Sequence, residues 1–240
     1  MMERFGEKLR TFFARFGHTC DSCGVEVFNY PKERLCADCE KALIRNCEHV
    51  CPKCGRKTRA SGVCLACKQN LPNFTVGFSP FTYEGLTASL INRLKNGDRY
   101  LSNFFGEEMA NYLRSKIQTK DLLVTCVPLT KEKMVARGYN QSEELAKVVA
   151  DKLGLECDFD VLHKTRERIQ QKDLSGKERA ENVSGAYRVH KRKAVKGRDI
   201  LLIDDIMTTG ATGSECARVL KNAGAREVIF LTASSLKERL

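Results

Sequence analysis

The sequence has no tryptophan and no apolar run long enough to cross a bilayer, and its start does not read as a secretory leader. Without tryptophan, base stacking falls to Phe28, Tyr30, Tyr139 and Tyr187. Without a leader or span, the expectation is a cytoplasmic chain with no stable membrane insertion, in which a disulfide framework is disfavoured. A dinucleotide fingerprint after an early strand is missing, and Gly210-Ala211-Thr212-Gly213 lacks the Gly-Lys-Ser/Thr of a P-loop, so a dinucleotide enzyme and a P-loop NTPase are disfavoured. Acidic charge is also scarce. Thirty Asp and Glu face 41 Lys and Arg, and the net charge of +11 points to anionic partners, either phosphorylated small molecules or nucleic acid. The basic charge is densest between Lys164 and Arg198, including the run His190–Arg198, which reads equally as a solvated loop.

Cysteine, by contrast, is plentiful. Of twelve cysteines, eight form four Cys-x-x-Cys pairs: Cys20/Cys23, Cys36/Cys39, Cys51/Cys54 and Cys64/Cys67. A Cys-x-x-Cys turn presents two sulfurs to one ion and zinc takes four thiolates, so four pairs suit two zinc sites. Pairing in sequence order gives two short zinc ribbons and is preferred; a cross-brace also fits the spacing. Cys47 and His49 read as non-ligands, because eight thiolates complete two sites, and Cys126, Cys157 and Cys216 read as structural. A segment this poor in apolar residues needs metal for most of its folding energy. Lys53, Arg56, Lys57 and Arg59 around the third pair could alternatively meet nucleic acid. Ahead of the pairs, residues 1–17 read as a basic amphipathic helix with Phe5, Leu9, Phe12, Phe13 and Phe16 on one face. Packing against protein is favoured there over a membrane surface.

At 240 residues the chain has room for an α/β domain beside a small module. The expected division is helix 1–17, zinc-ribbon module 18–72 and α/β domain 73–240. From about Phe74 onward strand and helix patterns alternate. Strands are expected at 76–83, 122–127, 186–189, 200–203 and 228–232, with helices at 87–94, 104–117, 140–153 and 213–223. Strands separated by helices imply a doubly wound, mainly parallel sheet. Gly138 and Asn140 read as the end of one helix and the cap of the next, with Arg137 a candidate phosphate clamp.

The most informative stretch is Ile203-Asp204-Asp205-Ile206-Met207-Thr208-Thr209-Gly210-Ala211-Thr212. A buried strand delivers two carboxylates at its carboxyl end, and a loop of N–H and O–H donors opens a helix. Loop amides and a helix N-terminus favour a phosphate dianion, while the carboxylates can hold ribose hydroxyls or a metal ion.

This stretch resembles the phosphoribosyl diphosphate (PRPP) motif of type I phosphoribosyltransferases. The four cysteine pairs, Leu94-Lys95-Asn96-Gly97, Val127-Pro128-Leu129, Arg137-Gly138-Tyr139-Asn140-Gln141, Gln171 to Leu174 and Arg179 to Asn182 follow in the order of the ComF family. The resemblance covers nearly the whole chain beyond the first fifteen or so residues. It implies a type I phosphoribosyltransferase sheet with an N-terminal zinc-ribbon module. Asp204 and Asp205 would hold the ribose, directly or with magnesium, as the catalytic pair. Thr208, Thr209, Gly210, Ala211 and Thr212 would cradle the 5-phosphate, and Pro128, Leu129 and Thr130 would meet the pyrophosphate, with Lys95 and Arg137 also on PRPP. The stretch 163–185, with Lys164, Arg166 and Arg179, lies where a hood closes in related enzymes. The family further implies a part in natural transformation, with single-stranded DNA and a DNA-uptake helicase or other competence proteins as partners. One departure is that Thr208 stands where hypoxanthine-guanine enzymes carry an aspartate, which argues against that acceptor. No other residue reads as a general base. Two functions therefore stay open: a PRPP-binding accessory of DNA uptake, or a magnesium-dependent transferase acting on an unidentified acceptor in nucleotide metabolism.

Overall fold

The computed structural model describes residues 19–165 and 185–238. The expected helix 1–17, Arg166, Gln171 to Leu174 and Arg179 to Asn182 lie outside the described residues. By compactness the chain forms two units, residues 1–44 and 45–240.

In the smaller unit, an antiparallel bridge joins Thr19 to Glu26, and helix α1 (Ala37–Lys41) follows Cys36 directly and carries Cys39 of the second cysteine pair. Among its described residues the buried apolar set is Val27, Leu35 and Leu43, beside Cys20.

The larger unit is an α/β domain. Strands β1 (Val76–Phe78) and β2 (Phe81–Thr82) lie along one edge, both parallel to β7 (Glu227–Ser235). Strand β7 pairs with β6 (Asp199–Met207), and β6 with β3 (Leu122–Cys126), so the order β1-β7-β6-β3 is parallel throughout. The central strands read as continuous apolar runs because helices cover both faces of a doubly wound sheet. Leu123, Val124, Ile200, Leu201, Leu202, Ile203, Val228 and Leu231 are fully buried.

The strand expected over 76–83 is broken at Ser79-Pro80, where proline has no N–H for the ladder. Buried Asn46 fills the gap. Its amide donates to the carbonyls of Ser79 and Phe81, 3.0 Å each, and accepts from the Thr82 hydroxyl. Helices α3 (Gly85–Lys95), α4 (Leu101–Arg114), α5 (Lys131–Arg137), α6 (Gln141–Leu153) and α8 (Ala211–Asn222) surround the sheet, the shorter α7 (Arg192–Val195) preceding β6. The short strand expected near 186–189 is present as β5 (Tyr187–Val189), but it pairs antiparallel with β4 (Leu162–Lys164) in a separate two-stranded sheet. β4 is hidden inside a polar stretch because three residues, one of them buried, carry no alternation to read.

The second cysteine group belongs to this larger unit and shares its core. Helix α2 (Leu65–Gln69) carries its last cysteine, and Cys51, Cys54, Cys64 and Cys67 pack with Phe74, Leu220 and Phe230. A Cβ on Gly55 would lie 2.5 Å from the Gly77 carbonyl oxygen, so only glycine lets the turn approach β1 this closely. Among the described residues no helix is long and apolar enough to cross a membrane.

Candidate functional site

The carboxyl end of β6 carries Asp204 and Asp205, both buried. Neighbouring elements bring donors to each. Asn140 caps α6 by accepting from the Ser142 N–H at 3.0 Å, and its own amide donates to the Val127 carbonyl at 3.0 Å, tying the helix start to the end of β3. The first two residues of α6 then face the acids. The Ser142 hydroxyl donates to Asp204 Oδ1 at 2.7 Å, and Gln141 Nε2 donates to Asp205 Oδ2 at 3.0 Å. Arg137, in the last turn of α5, donates to the Gln141 side-chain carbonyl, so it reaches the acids through Gln141. The sequence reading of Gly138 and Asn140 as a capping turn holds: Gly138 is left-handed at the end of α5.

Lys95, the last residue of α3, places its ammonium 3.1 Å from Asp205 Oδ2. The turn that holds it is locked by Tyr139, which is buried; its hydroxyl donates to the Leu94 carbonyl and accepts from the Gly97 N–H at 3.1 Å. Motifs separated by over a hundred residues thus converge on two carboxylates. Burial pushes the Asp204 carboxyl up to about 7, and the adjacent charge of Asp205 adds to it. The hydrogen bond from Ser142 opposes that rise.

The loop after β6 turns immediately into α8. Gly210 takes φ 84° at the helix start, a left-handed conformation that suits glycine, and Thr209 Oγ accepts from the Ala211 N–H at 3.3 Å. Thr208 and Thr209 are exposed, and Gly210, Ala211 and Thr212 are half-buried. The cleft beside the loop is lined by Asp204, Met207, Thr208, Gly210 and Thr212. Pro128 and Leu129 are half-buried past the end of the neighbouring strand β3, and buried Thr130 caps α5, accepting from the Lys133 N–H at 3.3 Å. Lys95, Arg137, Asp204 and Asp205 form one bonded network, with Thr208–Thr212 continuing from the same strand. Sequence reasoning gave no role to Gln141, Ser142 or Arg56 at this site. The Asn140 cap marks where α6 begins but not what its first residues meet. Arg56 carried no such mark.

The cysteines assemble in sequence order, Cys20/Cys23/Cys36/Cys39 and Cys51/Cys54/Cys64/Cys67, with Cys47 and His49 outside both groups. In each group the sulfurs lie within 4.8 Å of one another. The Cys23–Cys36 and Cys54–Cys64 separations are 3.7 Å, far beyond a disulfide and close to the edge of a tetrahedron with metal–sulfur bonds of about 2.3 Å. Backbone N–H groups point at the first sulfur of each: Cys36 N at 3.2 Å from Cys20, and Cys64 N at 3.3 Å from Cys51. Against the effect of burial, the N–H groups of Cys23, Cys36 and Ser22 bring the Cys20 thiol down to about 7, and Cys51 is lowered in the same way by Cys64, Cys54 and Lys53. Both groups could hold zinc.

Two of the basic residues considered for nucleic acid beside the third pair are occupied. The Lys53 ammonium donates to the carbonyls of Phe74 and Thr75, and Arg56 is buried, donating to the Thr208 carbonyl at 2.9 Å.

The phosphoribosyl transferase domain family matches residues 139–238, spanning the Tyr139–Ser142 turn, the acid pair and the loop. The chain is 33% identical over 207 residues to the competence protein ComFC of Streptococcus pneumoniae, covering 81% of this chain and 84% of that protein. The chain belongs to the ComF family. It is also 29% identical over 202 residues to ComFC of Bacillus subtilis, covering 81% and 80% of the two chains. To the DNA utilization protein YhgH of Escherichia coli it is 30% identical over 201 residues, covering 81% and 87%. The ComF family membership accounts for a type I phosphoribosyltransferase domain together with two four-cysteine groups in one chain.

Proposed function

We propose that this ComF chain binds PRPP with magnesium at the carboxyl edge of β6 and serves DNA uptake by handling single-stranded DNA in the cytoplasm. The observation that carries the reading is the buried acid pair, held by Ser142, Gln141 and Lys95 directly before a donor-rich loop. Burying two adjacent carboxylates is costly, and a ligand rich in hydroxyls and cations is what recovers the cost. Asp204 and Asp205 would hold the ribose hydroxyls, the amides of Thr208–Thr212 the 5-phosphate, and Pro128–Thr130 the pyrophosphate. Lys95 is near enough to Asp205 to exchange a carboxylate for a pyrophosphate oxygen. The acids offer hard oxygen donors suited to magnesium, which when bound neutralises pyrophosphate charge.

The names of the relatives, competence protein and DNA utilization protein, supply the cellular setting. Electrostatics narrows the strand-binding surface. Lys191 is paired with Asp158 and Asp160, and Arg192 donates to the Asn222 carbonyl, whereas Arg188, Lys193 and Lys196 are exposed. The sequence offers no residue that reads as a general base, so PRPP binding is better supported than transfer.

The test is calorimetric titration of PRPP and magnesium into wild type and an Asp204→Asn, Asp205→Asn double variant. Saturable binding that disappears in the variant supports the site; a folded, zinc-loaded wild type that gives no heat refutes it. Pyrophosphate release on addition of candidate acceptors would shift the reading to the transferase.

A further inference from the structure

We infer that Arg56 couples the second four-cysteine group to the phosphate loop, so that metal in that group and a phosphoribosyl ligand at the loop stabilise each other. The inference rests on the PRPP reading above and adds a regulatory link to it.

Arg56 follows Cys54 by two residues, and its backbone is part of the metal turn: Cys51 N donates to the Arg56 carbonyl at 2.9 Å and Gly55 N to the Cys51 carbonyl at 2.8 Å. That turn cannot slide. Gly77 N donates to the Lys53 carbonyl at 2.8 Å, and the Gly55–Gly77 approach leaves no space for a side chain on either residue. From this base the Arg56 guanidinium reaches across to the Thr208 carbonyl at 2.9 Å. In a planar trans peptide the carbonyl and the following N–H point in opposite directions. Fixing the Thr208 carbonyl toward Arg56 therefore turns the Thr209 N–H away from it and sets the orientation in which the loop meets an anion.

Two further observations point to a ligand-linked role. Arg56 is only 7% exposed, yet its Nε has no hydrogen-bond partner among the described residues. A buried guanidinium with an unsatisfied donor is costly on its own and is offset by negative charge beside the loop. A second tie runs alongside: Asn73, just past the cysteine group, donates through its N–H and its amide to Ser214 Oγ in the first turn of α8. Arg56 thus ties the start of the loop, and Asn73 ties the first turn of the helix that follows it. Linkage is reciprocal, so a ligand that prefers the braced loop must tighten metal binding at Cys51, Cys54, Cys64 and Cys67. Arg56 is a positioning residue in this scheme.

The experiment follows each cysteine by alkylation and peptide mass spectrometry while a chelator strips the full-length, zinc-loaded chain, with and without PRPP and magnesium. PRPP is expected to slow labelling of the second group about tenfold, the worth of one charge-assisted hydrogen bond, and to leave the first group unchanged. Arg56→Gln is expected to lose that protection and to weaken PRPP binding by about the same factor, with Arg56→Lys restoring part of each. Equal labelling rates with and without PRPP in a wild type that binds PRPP overturn the coupling and leave the PRPP site intact. If wild type binds no PRPP, hydrogen exchange at residues 208–214 decides the matter. Loss of protection there on stripping metal from wild type, already present in zinc-loaded Arg56→Gln, supports the coupling. Unchanged exchange overturns it.

Discussion

Asp204 is the residue at which the site's cost to the fold is most directly measurable. Its carboxyl is buried beside a second one and titrates in the folded chain at about 7, against 3.8 for an ordinary aspartate. The folded state then holds the proton more tightly than the unfolded chain, so this residue's stabilising contribution is complete below the ordinary value and is lost as pH rises toward neutrality. At about 1.4 kcal/mol per pH unit the full loss is about 4 kcal/mol, of which about 2 kcal/mol falls between pH 5 and pH 7. Asp204→Asn isolates it. Both hydrogen bonds to Asp204, from Ser142 Oγ at 2.7 Å and from Asp205 N at 2.9 Å, end on Oδ1, which asparagine retains. Urea denaturation of both proteins, zinc-loaded and free of PRPP and magnesium, is expected to show the variant gaining on wild type from pH 5 to pH 7 and then running parallel. Groups remote from Asp204 are common to both proteins and cancel in the difference. Parallel curves across the whole range would refute the claim that burial governs Asp204, and with it the argument that the ligand offsets a stored electrostatic cost.

Three more outcomes test other parts of the site. Tyr139→Phe removes the hydroxyl that locks the turn before Lys95 and is expected to cost about 1–3 kcal/mol in denaturation while weakening PRPP binding several-fold. Gly55→Ala forces a methyl against the Gly77 carbonyl at φ 72° and is expected to cost about 3 kcal/mol or more, read as a lower melting temperature with a lower zinc content. Lys193→Glu with Lys196→Glu is expected to flatten the salt dependence of single-strand binding by about 0.7 for each phosphate no longer neutralised, with PRPP affinity unchanged; an unaltered slope in fluorescence anisotropy removes this segment from the DNA surface.

The sheet was legible where pattern and length agree. Residues 122–126 and 200–203 are apolar runs and 140–153 carries both a cap and a stripe, so their types were plain, although β6 continues through the acid pair to Met207 because Asp204 and Ile206 still pair with β7. β1 and β2 read as one strand because the break at Pro80 is bridged by Asn46, a residue far outside any local window. The acid pair could be named from its strand-end position, yet the groups that hold it could not. Lys95, Gln141 and Ser142 meet the acids through packing of helices on one sheet edge, and no spacing rule encodes such a meeting. The same holds for Arg56, whose neighbours in sequence advertise metal and basic surface, while its side chain lies buried against a loop 152 residues away.

The arrangement also explains why a chain of net charge +11 buries two carboxylates at its most donor-rich edge. A phosphate loop surrounded only by cations would take any anion, including a nucleic-acid backbone. On the proposed reading, Asp204 and Asp205 would repel an anion that brings no hydroxyls or metal to satisfy them, whereas a ligand carrying a phosphate, vicinal hydroxyls and a magnesium ion would meet both halves of the site. Discrimination then comes from the unfavourable term for the wrong ligand as much as from contacts to the right one. Lys95 sets the size of that term, because its ammonium screens Asp205 until a ligand displaces it. Lys95→Met is accordingly expected to weaken PRPP while also lowering the residual affinity for inorganic phosphate. A variant that bound phosphate more tightly would show that repulsion by the acids does not control access to the loop.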